Sequence, residues 1–160
     1  MRIFASVIAT LALACGTAAA DEAATKVLFV CEHGNVKSLM AASYFNQLAA
    51  QRGVPFRAVA RGVAPDSTTV PQAIAAGLHT DGFDVGDFHP SKVTTGDIAG
   101  AVRTVAISTD LPAGLGIDEQ SIERWTDVPP ASSDYDAARA ALKAHVAALL
   151  DRLDGYNRSK

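Results

Sequence analysis

The sequence runs to 160 residues, 49% hydrophobic and 19% charged, a globular composition long enough to bury one core and unlike that of a disordered chain. The 14 Lys and Arg against 17 Asp and Glu leave a net charge of −3, which argues against a nucleic-acid-binding face. The count of Cys, 2 in all, excludes a disulfide framework and a multi-cysteine zinc site.

Met1-Arg2 is a short basic start, and residues 3–14 are an apolar run too short to span a bilayer. Ala18-Ala19-Ala20 then offers a small-residue cleavage site before Asp21-Glu22. This is the three-part pattern of a secretory signal peptide. Residues 1–20 are therefore expected to be removed and the protein exported, to the periplasm, without stable membrane insertion. The alternative for the apolar run is an N-terminal core helix. A second processing route would lipidate Cys15, which follows Ala12-Leu13-Ala14 but lacks the usual leucine three places earlier. Cleavage after Ala20 leaves Cys31 as the remaining cysteine. Residues 21–25 read as a linker, 26–154 as one domain and 155–160 as a C-terminal tail.

Strands and helices then alternate. Lys26-Val27-Leu28-Phe29-Val30-Cys31 is a continuous apolar run with β-branched members, as in a strand buried on both faces. The polar loop Glu32-His33-Gly34-Asn35-Val36-Lys37 leads to Ser38, suited to cap a helix in which Ala41, Phe45 and Leu48 share a face. Gly53 stops that helix, with Pro55 beyond. Residues 56–60 read as a second strand and 62–69 as a loop. Pro71 stands near the start of a helix carrying Val70, Ile74 and Leu78 at spacing four. Residues 82–90 are a connector rich in turn residues. Residues 102–107 form a third strand, 122–125 a short fourth, and Pro129-Pro130 a loop. Ser133-Asp134-Tyr135-Asp136 opens the last helix as a variant capping box, with Leu142, Val146, Leu149 and Leu153 on one face. Trp125 reads as core.

Right-handed crossovers between such strands give a three-layer α/β sandwich, a four-stranded, mostly parallel sheet with helices on both faces. Ligands of such sheets bind beyond the carboxyl ends of the strands, where Cys31 stands. A loop from Cys31 to Ser38 that closes on a helix N-terminus can aim several backbone N–H groups at one point and so hold an oxyanion. A helix N-terminus also favours the thiolate form of a sulfur set before it. Glu32, His33, Gly34, Asn35, Val36, Lys37 and Ser38 are thus the candidate anion-binding residues. Lys37 supplies a cation, and Ser38 is in reach of the sulfur. A thiolate facing a bound tetrahedral oxyanion is a nucleophile placed to attack phosphorus or arsenic. The plainer readings are a buried strand-end Cys31, a solvated Lys37 and a His33 hydrogen-bonded to backbone. No second ligand at helical spacing accompanies His33, and no metal or cofactor is called for.

Val-Leu-Phe-Val-Cys31, the Gly34-Asn35 loop and Lys37-Ser38-Leu39-Met40-Ala41 together resemble the low-molecular-weight protein tyrosine phosphatase superfamily, which includes thiol-linked arsenate reductases. That family's signature is a cysteine, five residues, an arginine and a serine. Arg61-Gly62, Gly82-Phe83-Asp84, His89-Pro90 and Trp125 before a Pro-rich loop follow in the family's order, so the resemblance covers most of residues 26–153. It implies a four-stranded parallel sheet flanked by helices, with Cys31 as nucleophile toward phosphate monoesters, phosphotyrosine among them.

The sequence departs from the family pattern in three places. Lys37 stands where the family has arginine, and a point charge cannot reproduce the two-pronged grip of a guanidinium. The family's acid is an aspartate before a proline; the aligned place holds Pro129-Pro130, and Asp127 is the nearest substitute. Losing a general acid costs roughly 10²–10⁴ in rate. Residues 107–110 carry no resolving cysteine, which excludes an internal disulfide relay. The expected function is a phosphatase-like hydrolase with Cys31, Lys37 and Asp127 as catalytic residues and phosphate or a similar oxyanion, or a phosphoprotein, as partner. The alternatives are an impaired oxyanion- or phosphoprotein-binding module, and an arsenate reductase served by an external thiol. The sequence carries no signal for oligomeric state.

Overall fold

The computed structural model describes residues 25–158. The expected signal peptide, the Cys15 alternative and all but the last residue of the 21–25 linker lie outside the described residues. Strand β1 is Thr25–Cys31, followed by α1 (Lys37–Arg52), β2 (Phe56–Gly62), α2 (Gln72–Thr80), α3 (Thr95–Ala99), β3 (Arg103–Ile107), β4 (Ile122–Trp125) and α4 (Tyr135–Arg158). One four-stranded sheet has the order β2-β1-β3-β4, and all three strand pairs are parallel.

The unbroken apolar run of β1 follows from its central place. Successive side chains of a strand point to opposite faces. Val27, Phe29 and Cys31 face the larger core, with Phe45 of α1, Ile74 of α2 and Leu142, Val146 and Leu149 of α4. Leu28 and Val30 face a thinner layer built on Val93, Ile98, Leu111 and Leu115. Helices therefore flank both faces, but unequally: α1, α2 and α4 on one, the short α3 and loops on the other.

Several local features follow the sequence closely. Gly53 ends α1 in the left-handed conformation, with φ 64°, which glycine adopts without steric cost. Asp134 caps α4 through Oδ1, which accepts from the Ala137 N–H at 2.9 Å. Other features differ. β2 runs two residues further than expected, to Gly62, because its end pairs with Cys31. α4 continues to Arg158, past the expected boundary at 154. Helix α3 has no apolar repeat to announce it; it is held by a capping box between Thr94 and Asp97 and by the Arg61–Asp97 ion pair, 3.0 Å. Ser38 does not cap α1. That helix starts two residues earlier, at Lys37 with Val36 at the N-cap and no side-chain cap, and Ser38 is fully buried.

Candidate functional site

Register brings the exits of β1 and β3 side by side, since Val30 lies opposite Ala106. Cys31 thus ends its strand beside Ser108, and the loop that follows closes onto α1. The loop is shaped by backbone contact. Gly34 has φ +80°, and a Cβ there would stand 2.6 Å from the Gly62 nitrogen; a Cβ on Gly62 would stand 2.7 Å from the His33 carbonyl carbon. Only two glycines let these chains lie against each other. The Val63 and Ala64 N–H groups donate to the Cys31 and Glu32 carbonyls at 3.0 and 2.8 Å. Asn35, 2% exposed, donates through Nδ2 to the Thr69 carbonyl at 2.8 Å. Its Oδ1 is buried and without a partner among the described residues.

The sulfur of Cys31 sits at the floor of this arrangement. The Gly34 N–H donates to Sγ at 3.3 Å, and Ser38 Oγ lies 3.1 Å from it. Both are placed to hydrogen-bond a thiolate. The first N–H groups of a helix have no intrahelical acceptor, and no side chain caps α1. In front of the sulfur is a hollow of about 270 Å³, walled by Cys31, Glu32, His33, Val36 and Lys37 on one side and by Ser108 and residues 130–132 on the other.

Lys37 lines the hollow, but its ammonium donates to Ser108 Oγ and to the Val128 carbonyl, both at 2.9 Å. Of three N–H donors that leaves one for a guest. Burial holds the Lys37 amine below the usual lysine range, opposed by the nearby Cys31 charge. Glu32 accepts from Thr109 Oγ1 at 2.9 Å. His33 pairs through Nδ1 with the Asp66 carboxylate at 3.3 Å, not with backbone as its plainer reading expected. Gly34 and Ser38 touch the sulfur. Val36 forms part of the wall, and Asn35 braces the loop from behind.

Asp127 is placed elsewhere. It does not line the hollow, and its Oδ1 lies 2.8 Å from His145 Nε2. The His145 ring is in turn stacked on Trp125, with centroids 4.7 Å apart. The hydrogen bond from His145 holds the Asp127 carboxyl below its ordinary range. A general acid needs a place next to the leaving group, and Asp127 stands outside the hollow. The fold therefore does not bring Asp127 together with Cys31 and Lys37.

Two contributors, Gly62 and Ser108, were not among the expected site residues. Gly62 carries no chemistry, and only the pairing of β2 with β1 reveals its contact. Ser108, with φ 49°, is the one non-glycine at positive φ among the described residues, a strain of order 1–3 kcal/mol that neighbouring structure must hold. Its place directly after a strand that neighbours β1 was the available signal. Cys31 is the free cysteine of the described residues. Among those residues no cluster of three or more His, Cys, Asp or Glu could hold a metal ion.

No family model matches the sequence, and no curated protein matches it. Solved structures do match. A low-molecular-weight protein tyrosine phosphatase from T. tengcongensis superposes with a TM-score of 0.73 at 20% identity, over 81% of this chain and 99% of its own. An arsenate reductase from Archaeoglobus fulgidus gives 0.64 at 24% identity, over 78% and 98%. An arsenate reductase described in its phosphate-binding state gives 0.66 at 16% identity, over 80% and 98%. At these identities the likeness establishes the fold.

Proposed function

We propose that this chain, which has the fold of the low-molecular-weight protein tyrosine phosphatases and arsenate reductases, binds a tetrahedral oxyanion over Cys31 and hydrolyses phosphate monoesters through that sulfur. The observation that carries the reading is the Cys31 sulfur set between the Gly34 N–H and Ser38 Oγ at the floor of an open hollow, at an uncapped helix N-terminus. A structure of the same fold is described in a phosphate-binding state, which agrees with an oxyanion guest.

In the proposed reaction the P–O bond to the leaving group breaks as the S–P bond forms, with the electron pair departing on the leaving oxygen. Water then attacks phosphorus, the P–S bond breaks, inorganic phosphate leaves and the sulfur is restored. Backbone N–H groups and the remaining Lys37 N–H hold the phosphoryl oxygens. Among the described residues Asp127 stands outside the hollow and Glu32, which lines it, is engaged by Thr109, so phenols of low pKa are the favoured leaving groups. The test is turnover of p-nitrophenyl phosphate against phenyl phosphate. The first is expected to be hydrolysed at least a hundredfold faster, and Cys31→Ser to abolish both reactions. Equal rates, or turnover that survives Cys31→Ser, would overturn the proposal.

A second reading is favoured by the Lys37 contacts to Ser108 and Val128 and by the position of Asp127: a module that binds oxyanions or phosphoproteins without efficient turnover. Phosphate that protects Cys31 from iodoacetamide in a protein without hydrolytic activity would select it. Arsenate reduction would need a second thiol, which the described residues do not offer. Export, with removal of residues 1–20, belongs to the same proposal; N-terminal sequencing of periplasmic material should begin at Asp21.

A further inference from the structure

We propose that the end of the sheet remote from Cys31 carries a second site, which takes a small organic anion with an apolar body, its acid group on Arg103. A hollow of about 730 Å³ opens there between Thr25, Phe56, Val102, Arg103, Leu149 and Leu153, with Arg152 and Tyr156 completing its edge. Thr25, Phe56 and Arg103 are the first residues of β1, β2 and β3, so this hollow and the one before Cys31 lie at opposite ends of the strands. Its size and mixture of apolar wall with a few polar groups are those of small-molecule sites, about 300–1,000 Å³.

Two observations define the guest. The first is the wall. Val102 and Tyr156, 53% and 64% exposed, are the exposed large hydrophobic residues of the described chain, and both stand on this edge. Single exposed apolar side chains need no explanation, but grouped ones mark contact sites. The second is the charge. Arg103 Nε is buried and has no hydrogen-bond partner among the described residues. Arg152 differs, because Glu123 Oε1 lies 2.6 Å from its Nη2. A guanidinium is always charged, and a buried donor without an acceptor is costly and rare in native proteins. A carboxylate would accept from the terminal nitrogens of Arg103, which lines the hollow, in the planar geometry that arginine favours, with its hydrocarbon against Phe56, Val102, Leu149 and Leu153. Inorganic phosphate would leave those walls bare, and a neutral lipid would leave Arg103 unmatched.

The test is an amide NMR titration of the full chain with sodium octanoate and, separately, 1-octanol. Octanoate is expected to shift Thr25, Phe56, Arg103 and Leu153 saturably, and to bind at least tenfold more tightly than the alcohol. Arg103→Gln should reduce octanoate affinity at least tenfold. Should that variant misfold, Val102→Glu at the exposed edge sets a fixed carboxylate beside Arg103 and should weaken octanoate in the same way. Equal affinity for acid and alcohol, shifts confined to other regions, or no shift at all would overturn the proposal. Octanoate that binds only after Asp21→Asn and Glu22→Gln would also overturn it, since the chain's own acids would then be the partners of Arg103.

Discussion

Gly34 and Gly53 both hold positive φ, and substitution separates conformation from contact. A Cβ at Gly53 meets nothing within 4 Å, whereas one at Gly34 stands 2.6 Å from backbone. Gly53→Ala is expected to cost about 1–2 kcal/mol, the penalty of the left-handed conformation alone. Gly34→Ala must also push two strand exits apart, and should cost about 4 kcal/mol or more and remove phosphate binding. Urea unfolding of the two variants checks the difference. Lys37→Met keeps an unbranched side chain and removes the charge. It is expected to raise the phosphate concentration that half-protects Cys31 from iodoacetamide by roughly ten- to a hundredfold, the worth of one charge-assisted hydrogen bond. Unchanged protection would mean that the ammonium is fully committed to Ser108 and Val128.

Helices α1, α2 and α4 meet at a polar clasp within the larger core. Tyr44 and Tyr135 donate to the same oxygen of Asp81, at 2.7 and 2.8 Å, and Arg139 donates to the other at 3.0 Å. Burial pushes the Asp81 carboxyl up, but the two tyrosine hydrogen bonds and the Arg139 charge more than reverse this, leaving it below the ordinary range. Burial, with the Asp81 contact, pushes the Tyr135 phenol up to about 12. A carboxyl whose folded value lies below its unfolded one stabilises the fold above the unfolded value, and that contribution is lost as pH falls through the folded one. Wild type should therefore lose more stability than Asp81→Asn between pH 7 and pH 3, seen as a larger fall in urea midpoint. The strands, α1, α2 and α4 were legible because each has an apolar period and a stop signal. The clasp was not, because its members are scattered polar residues that become neighbours only after the helices pack. The same limit applied to α3, which is fixed by Thr94, Asp97 and Arg61 rather than by an apolar face. It applied to Asp127 as well: proximity in sequence to the Pro129-Pro130 loop said nothing of His145, eighteen residues away on α4.

The whole molecule places the proposed site where two central parallel strands end together, and a guest there would touch parts of the chain far apart in sequence. Phosphate that binds only this assembled state must raise its stability by mass action, by about 1.4 kcal/mol at ten times Kd. For a domain of this size the melting temperature should rise by about 5 °C, and in Gly34→Ala it should not move. Differential scanning calorimetry with phosphate, against sodium chloride of equal ionic strength, makes the comparison. Cys31 and its loop were visible in the sequence because a strand end, a glycine and a helix start are local signals. The seat on Gly62 was not, because it belongs to a partner strand.

That seat bears on how the protein comes into being. The loop around the sulfur leans on the exit of β2 at Gly62, so a chain whose second strand has not yet zipped onto the first has nothing to hold that loop in shape. Resistance of the thiol to alkylation in the presence of phosphate would then serve as a stopwatch for refolding, starting only when strands one and two have joined.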